Sequence, residues 1–139
     1  MDGRRTNLFW EWERWDKKLI KTDMDIKIIK SPITKEELKH VASEGFGELV
    51  KVVVDLEQEI MAVGGELHAD EETLLIDQEG SQREYTWGIN IYPDKTGDDF
   101  IEYDSMVNLK PSFGNRTRSV ENKEIREQIK KIVGTLIQK

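Results

Sequence analysis

The sequence predicts an α+β fold: a four- to five-stranded, mainly antiparallel sheet built from two hairpins, with helices on one face and an amphipathic helix ahead of it. Three observations predict this. Residues 49–56 hold the β-branched run Val50, Val52, Val53 and Val54, and a polar turn at Glu57-Gln58 separates it from a second apolar run at 59–64, the pattern of a buried hairpin. Residues 87–92, WGINIY, alternate Trp87, Ile89 and Ile91 against Gly88, Asn90 and Tyr92, as a strand does. Ile125, Ile129, Ile132, Val133 and Leu136 recur at helical spacing near the C-terminus and predict a helix over 122–137.

In chain order, residues 1–23 come first. Leu8, Trp12, Trp15 and Leu19 fall on one stripe of a helix, widened by Phe9, Trp10 and Ile20, with Thr6 or Asn7 available as cap. The segment is too short to bury its tryptophans alone. Trp10, Trp12 and Trp15 are therefore the expected partner-binding residues, toward another protein or a second copy in a homo-oligomer. A membrane-surface helix would want a more basic polar face than 6 basic against 5 acidic side chains provide. A single domain is expected over residues 24–139, with Met24 standing where a start codon would.

That domain opens with an alternating strand at 25–30, ended by Ser31-Pro32. Thr34 and Glu37 have capping-box spacing, so a helix over 35–43 follows, with Leu38 and Val41 inward and Gly45 as its stop. After the hairpin and Gly64-Gly65, residues 66–78 read in two ways. A helix is favoured, with Leu67, Leu74 and Leu75 on its inner face, Asp70, Glu71 and Glu72 in its first turn and Gly80 behind it. A strand over 73–77 competes. Residues 100–109 read as one long strand, with Ile101, Tyr103, Ser105, Val107 and Leu109 toward the core and Phe100, Glu102, Asp104, Met106 and Asn108 opposite. Residues 110–119 form a loop.

Composition narrows the chemistry. The 139 residues include no cysteine, which removes disulfides, thiolate nucleophiles and cysteine zinc sites and favours a cytoplasmic location. No apolar run approaches the roughly 20 residues of a spanning helix, so no membrane is expected. The net charge of -7 is uneven, with 2 basic against 15 acidic side chains over residues 55–104 and 8 against 3 over residues 105–139. So acidic a middle argues against nucleic acid as a partner.

Three constellations are candidates for chemistry. Glu66, His68 and Asp70 alternate, so in an extended segment they converge as a divalent metal site (His68, Asp70) or as a base and its orienter. On a helix, a spacing of two separates side chains by about 200° and spoils that geometry, leaving His68 as a polar contact. Glu102, Asp104 and Asn108, with Asn90 and Tyr92 on a neighbouring strand, offer paired carboxylates for acid–base work or simply a solvated sheet face. Arg116 and Arg118, beside Gly114 and Asn115 and ahead of a helix, suit an anion, or pair with the acidic middle. No cofactor is predicted, and no G-x-S-x-G supports a serine nucleophile.

The runs VVDLEQEIMAVGGELHADEETLL, WGINIYP and IEYDSMVNLKPSFGNRTR, with the closing helix, resemble a family of small prokaryotic proteins carrying a domain-of-unknown-function label. The resemblance covers nearly all of residues 24–139. It implies a compact domain and supplies no activity. The function expected is a non-enzymatic binding or regulatory module that uses the sheet or the Trp-rich helix as its surface. The alternatives are a small metal-dependent or acid–base hydrolase of a phosphate-containing substrate, with Glu66, His68 and Asp70 reactive and Arg116 and Arg118 as clamp, and a toxin–antitoxin component.

Overall fold

The computed structural model describes residues 25–138. The expected N-terminal helix, with Trp10, Trp12 and Trp15, lies outside them. Among the described residues are strands β1 (Lys27–Ile29), β2 (Ile33–Thr34), β3 (Val50–Asp55), β4 (Ile60–Val63), β5 (Thr86–Ile91), β6 (Ile101–Glu102) and β7 (Ile137–Gln138). The helices are α1 (Lys35–Glu44), α2 (His68–Glu79) and α3 (Lys123–Leu136). None of them is long and apolar enough to cross a membrane.

Five strands form an antiparallel sheet in the order β1-β4-β3-β5-β6. β3 lies at its centre, and Val52, Val53 and Val54 have no exposed surface. A strand buried on both faces reads as a continuous apolar run, which is why three consecutive valines sit here. On one face Val50, Val52, Val54, Met61, Val63, Trp87, Ile89 and Ile91 pack with Leu38 and Ala42 of α1 and Ile129, Ile132, Val133 and Leu136 of α3. On the other, Val53, Ile60 and Ala62 pack with Ile26 and with Leu75 of α2. Helices therefore cover both faces, where one was expected, because the whole width of β3 and β4 is apolar and needs cover on either side.

Local signals placed most boundaries. The Thr34 hydroxyl accepts the Glu37 N–H at 3.1 Å, and the Asn122 carboxamide accepts from Glu124 and Ile125 at 2.8 and 3.1 Å, so α1 and α3 begin where their caps stand. Gly80 ends α2 in the left-handed conformation, at φ 69°. At the β3–β4 turn, Asp55 accepts the N–H groups of Glu57 and Gln58 and the hydroxyl of Ser81, which ties the hairpin to the end of α2.

Two elements depart from expectation. The inner face of α2 is a stripe of His68, Glu71, Glu72 and Leu75, while Leu67 is 57% exposed at the N-cap. Those four positions are i, i+3, i+4 and i+7, so the helical period is present and carried by polar residues. The long strand over 100–109 is replaced by two paired residues, Ile101 and Glu102, and a 3-10 turn at Met106–Asn108. Its cause is side-chain mimicry of a strand. The Asn108 carboxamide accepts the Gly88 N–H at 2.8 Å and donates to the Gly88 carbonyl at 2.9 Å, occupying the edge of β5 where a ladder would have continued. The Ser105 hydroxyl accepts the Val107 N–H and starts the turn. In addition, β2 and β7 form a two-residue parallel pair, Ile33 with Ile137 and Thr34 with Gln138, which no sequence pattern announced.

Gly88 is required by this arrangement, because a Cβ there would stand 2.5 Å from the Ser105 hydroxyl oxygen and 2.8 Å from a Val107 methyl. Chemical denaturation should show Gly88→Ala destabilised by about 1–3 kcal/mol through overpacking. Gly134 lies within α3 with open space around it, and Gly134→Ala should stabilise by about 0.5–1 kcal/mol. Equal effects of the two substitutions would refute this account.

Candidate functional site

The polar stripe of α2 organises the chemistry on its side of the sheet. Gly64, at φ 93°, turns the chain out of β4, and Gly65 lets the helix approach: a Cβ there would meet the Glu71 side chain at 3.0 Å. Gly65 N–H donates to Glu71 Oε2 at 2.9 Å, while Glu71 Oε1 has no partner among the described residues. Burial pushes the Glu71 carboxyl well above the usual carboxylate range, against the pull of the Gly65 bond and of Lys51. His68 donates from Nε2 to the Ile89 carbonyl at 2.7 Å. Desolvation lowers its pKa to about 4, with Lys51 and Arg118 acting in the same direction and the Ile89 bond and Asp104 opposing. The imidazole is neutral and committed to the sheet.

One turn further along, Glu72 accepts the Thr86 hydroxyl at 2.6 Å and the Arg83 guanidinium at 2.9 Å. The side chain of Lys110 is fully buried beside it, with its ammonium 3.9 Å from Glu72, donating to the carbonyls of Arg83 and Thr86 and lying 4.8 Å from the centroid of the Trp87 ring. Burial lowers the Lys110 pKa to about 8, opposed chiefly by Glu72. The sequence reading assigned Lys110 no role. A lysine in a turn-rich loop looks solvated, and only the fold brings it under β5.

The sequence-predicted residues separate in the structure. His68, Asp104 and Arg118, one from each constellation, come within electrostatic reach of one another. Arg118 Nε donates to Asp104 Oδ1 at 2.8 Å, and both side chains are about half exposed. Asn90 donates to Glu102 at 2.8 Å, as does the Tyr92 hydroxyl at 3.2 Å. Glu66 and Arg116 are exposed, and the Arg116 backbone N–H donates to Glu121. Asp70 sits in the first turn of α2, rotated away from His68 by the helical period. Asn108 is consumed at Gly88. Among the described residues, no group of three or more His, Asp or Glu side chains is placed to hold a metal ion.

A cleft of about 460 Å³ opens on the opposite face, at the end of the β3–β5 pair, lined by Leu56, Glu57, Glu84, Tyr85, Trp87, Phe113, Ile125 and Gln128. The volume lies within the roughly 300–1,000 Å³ of small-molecule sites. Trp87 is 2% exposed, yet its indole N–H has no partner among the described residues, and Phe113 is 52% exposed. Sequence reasoning missed this site. The only signal was an aromatic residue between proline and glycine in a loop, Pro111 to Gly114, with nothing to say what it faces.

Comparison with known proteins places the chain. Residues 27–136 match a family described as protein of unknown function (DUF5674). The chain belongs to this family. The match runs from the first residue of β1 to the last of α3, so the sheet, the α2 stripe and the aromatic cleft all lie within the family domain. It agrees with the resemblance seen in the sequence. No curated protein and no solved structure matches this member of the family.

Two substitutions test the buried network. Lys110→Met should cost about 3 kcal/mol in denaturant unfolding, because Glu72 loses a buried counter-charge and two carbonyls lose their donor. A change below about 0.5 kcal/mol would contradict it. For Glu71 the folded pKa is raised, so its stabilising contribution is complete below the ordinary carboxylate pKa and is lost as pH rises through the folded value. Glu71→Gln should therefore gain in melting temperature relative to the parent as pH rises above the ordinary carboxylate value of 4.5. A difference that stays flat with pH, or shrinks, would show that this carboxyl is ionised in the fold.

Proposed function

We propose that this protein is a non-enzymatic binding module whose ligand enters the cleft walled by Tyr85, Trp87 and Phe113. The observation that carries the reading is a division of labour between the two sheet faces. On the α2 side, the groups with catalytic potential are engaged within the fold: His68 with Ile89, Glu71 with Gly65, Glu72 with Thr86 and Arg83, Asp104 with Arg118. On the other, the rings of Tyr85 and the exposed Phe113 line a concavity and have no such engagement among the described residues. In this reading the α2 face is the frame and the cleft is the working surface.

Trp10, Trp12 and Trp15 form a second contact surface, toward a second copy of the chain or another protein, supported by the apolar stripe of residues 8–19. The lack of cysteine fits a cytoplasmic setting for such a module.

A fragment library screened by amide and indole NMR shifts on the full chain tests the reading. Binders should shift the signals of Tyr85, Trp87, Phe113 and Ile125 together, and Phe113→Ala should weaken them by about tenfold, as loss of an aromatic wall implies. Shifts confined to His68, Asp104 and Arg118 would move the site to the α2 face. Hydrolysis of p-nitrophenyl phosphate or acetate that disappears in His68→Ala would end the non-enzymatic reading.

A further inference from the structure

We propose that the cleft binds a small organic cation, an alkylated ammonium; this rests on the reading of the cleft as the binding site. Two independent observations point to that chemistry.

The first is how the chain treats its own aromatic rings. Among the described residues there are seven Phe, Tyr and Trp rings. Five carry a cation of the same chain near the ring: Phe46 by Lys51, Trp87 by Lys110, Tyr92 by Lys95, Phe100 by Lys35 and Tyr103 by Arg126, at 4.4 to 5.4 Å from the centroid. The two rings without one, Tyr85 and Phe113, both line the cleft. A ring face is the negative end of the aromatic quadrupole, so each of these surfaces favours a positive charge. In the cleft that charge has to come from outside.

The second is the polar lining. It consists of Glu57, Glu84 and Gln128, with no Lys, Arg or His among the lining residues. Two carboxylates beside a low-dielectric aromatic wall set up a negative potential that draws a cation and repels an anion. Both glutamates are exposed, so neither is needed to hold the fold. Lys110, the cation behind Trp87, is turned to Glu72 and two backbone carbonyls and is not among the residues lining the cleft. Aromatic walls and rim carboxylates together describe an alkylammonium ligand, and they disfavour phosphate and carboxylate ligands.

The probe is choline, compared with its neutral isostere 3,3-dimethylbutan-1-ol, titrated into the full chain at fixed ionic strength. The readout is the indole N–H signal of Trp87, assigned by its loss in Trp87→Phe. Choline should give a saturable shift at a concentration about tenfold below the isostere, the increment that cation–π and rim charge together supply. The double variant Glu57→Gln/Glu84→Gln should weaken choline by about fivefold and leave the isostere unchanged, since only the cation senses the carboxylates. Isostere binding as tight as choline, or a double variant that leaves choline unaffected, overturns the cation and keeps the cleft as a site for neutral ligands. If neither probe shifts Trp87 and the fragment screen also leaves it unmoved, the binding-module reading falls as well.

Discussion

A helix that buries two carboxylates and an imidazole against a sheet imposes a strict constraint: every polar group it carries inward needs a partner there, or must shed its charge. In this domain α2 meets the constraint in both ways. Glu72 has Arg83, Lys110 and the Thr86 hydroxyl around it, while Glu71, bonded to the Gly65 N–H, has its pKa raised by burial, which favours its neutral form. His68 stays neutral and donates to the sheet. The consequences spread outward. Lys110 is held beneath Trp87, which fixes the loop that follows it and so the position of Phe113, and Gly64-Gly65 has to remain small for α2 to sit down at all.

Seen from that constraint, the abundance of acids near the centre of the chain is not in itself a sign of catalysis. Buried carboxylates engaged within the fold are a structural solution, and the raised Glu71 pKa belongs to packing. Perturbed groups often mark active sites, but structural networks perturb them too, and here geometry separates the two cases. The His68 Nε2 bond to a backbone carbonyl spends a nitrogen that a base or a metal site would want. The opposite face, where Tyr85 and Phe113 lack the cations that cover the other described rings, has unspent interactions, and unspent interactions are what a ligand can use.

Much of the architecture was legible in the sequence, and the legible parts have local causes. The valine run of β3, the alternation of β5, the caps Thr34 and Asn122 and the stop at Gly80 each act within a few residues, so neighbours in sequence suffice to read them. The α2 stripe was half legible: a helix with its acids in the first turn was in the sequence, but the inner face was read from Leu67, Leu74 and Leu75, since a polar stripe ordinarily faces water. The strand expected over residues 100–109 failed for a different reason. Its alternation is real, but Asn108 imitates a backbone at Gly88, a residue 20 positions earlier, and no local pattern encodes that competition.

The sequence by itself determined the class of fold, the central hairpin, the helix boundaries, the lack of thiol chemistry and the kinship with a family of unknown function, because these rest on composition, period and turn chemistry. Tertiary structure alone decided which faces the helices cover, that β2 and β7 meet, and that Lys110 is an interior residue. It alone also decided which candidate groups meet, joining His68 with Asp104 and Arg118 while leaving Glu66, Asp70 and Arg116 apart, and it assembled the cleft from Leu56, Tyr85, Trp87, Phe113 and Ile125. Those facts depend on contacts between residues far apart in the chain, and it is the burial of α2 and the course of the loop after Lys110 that bring them together.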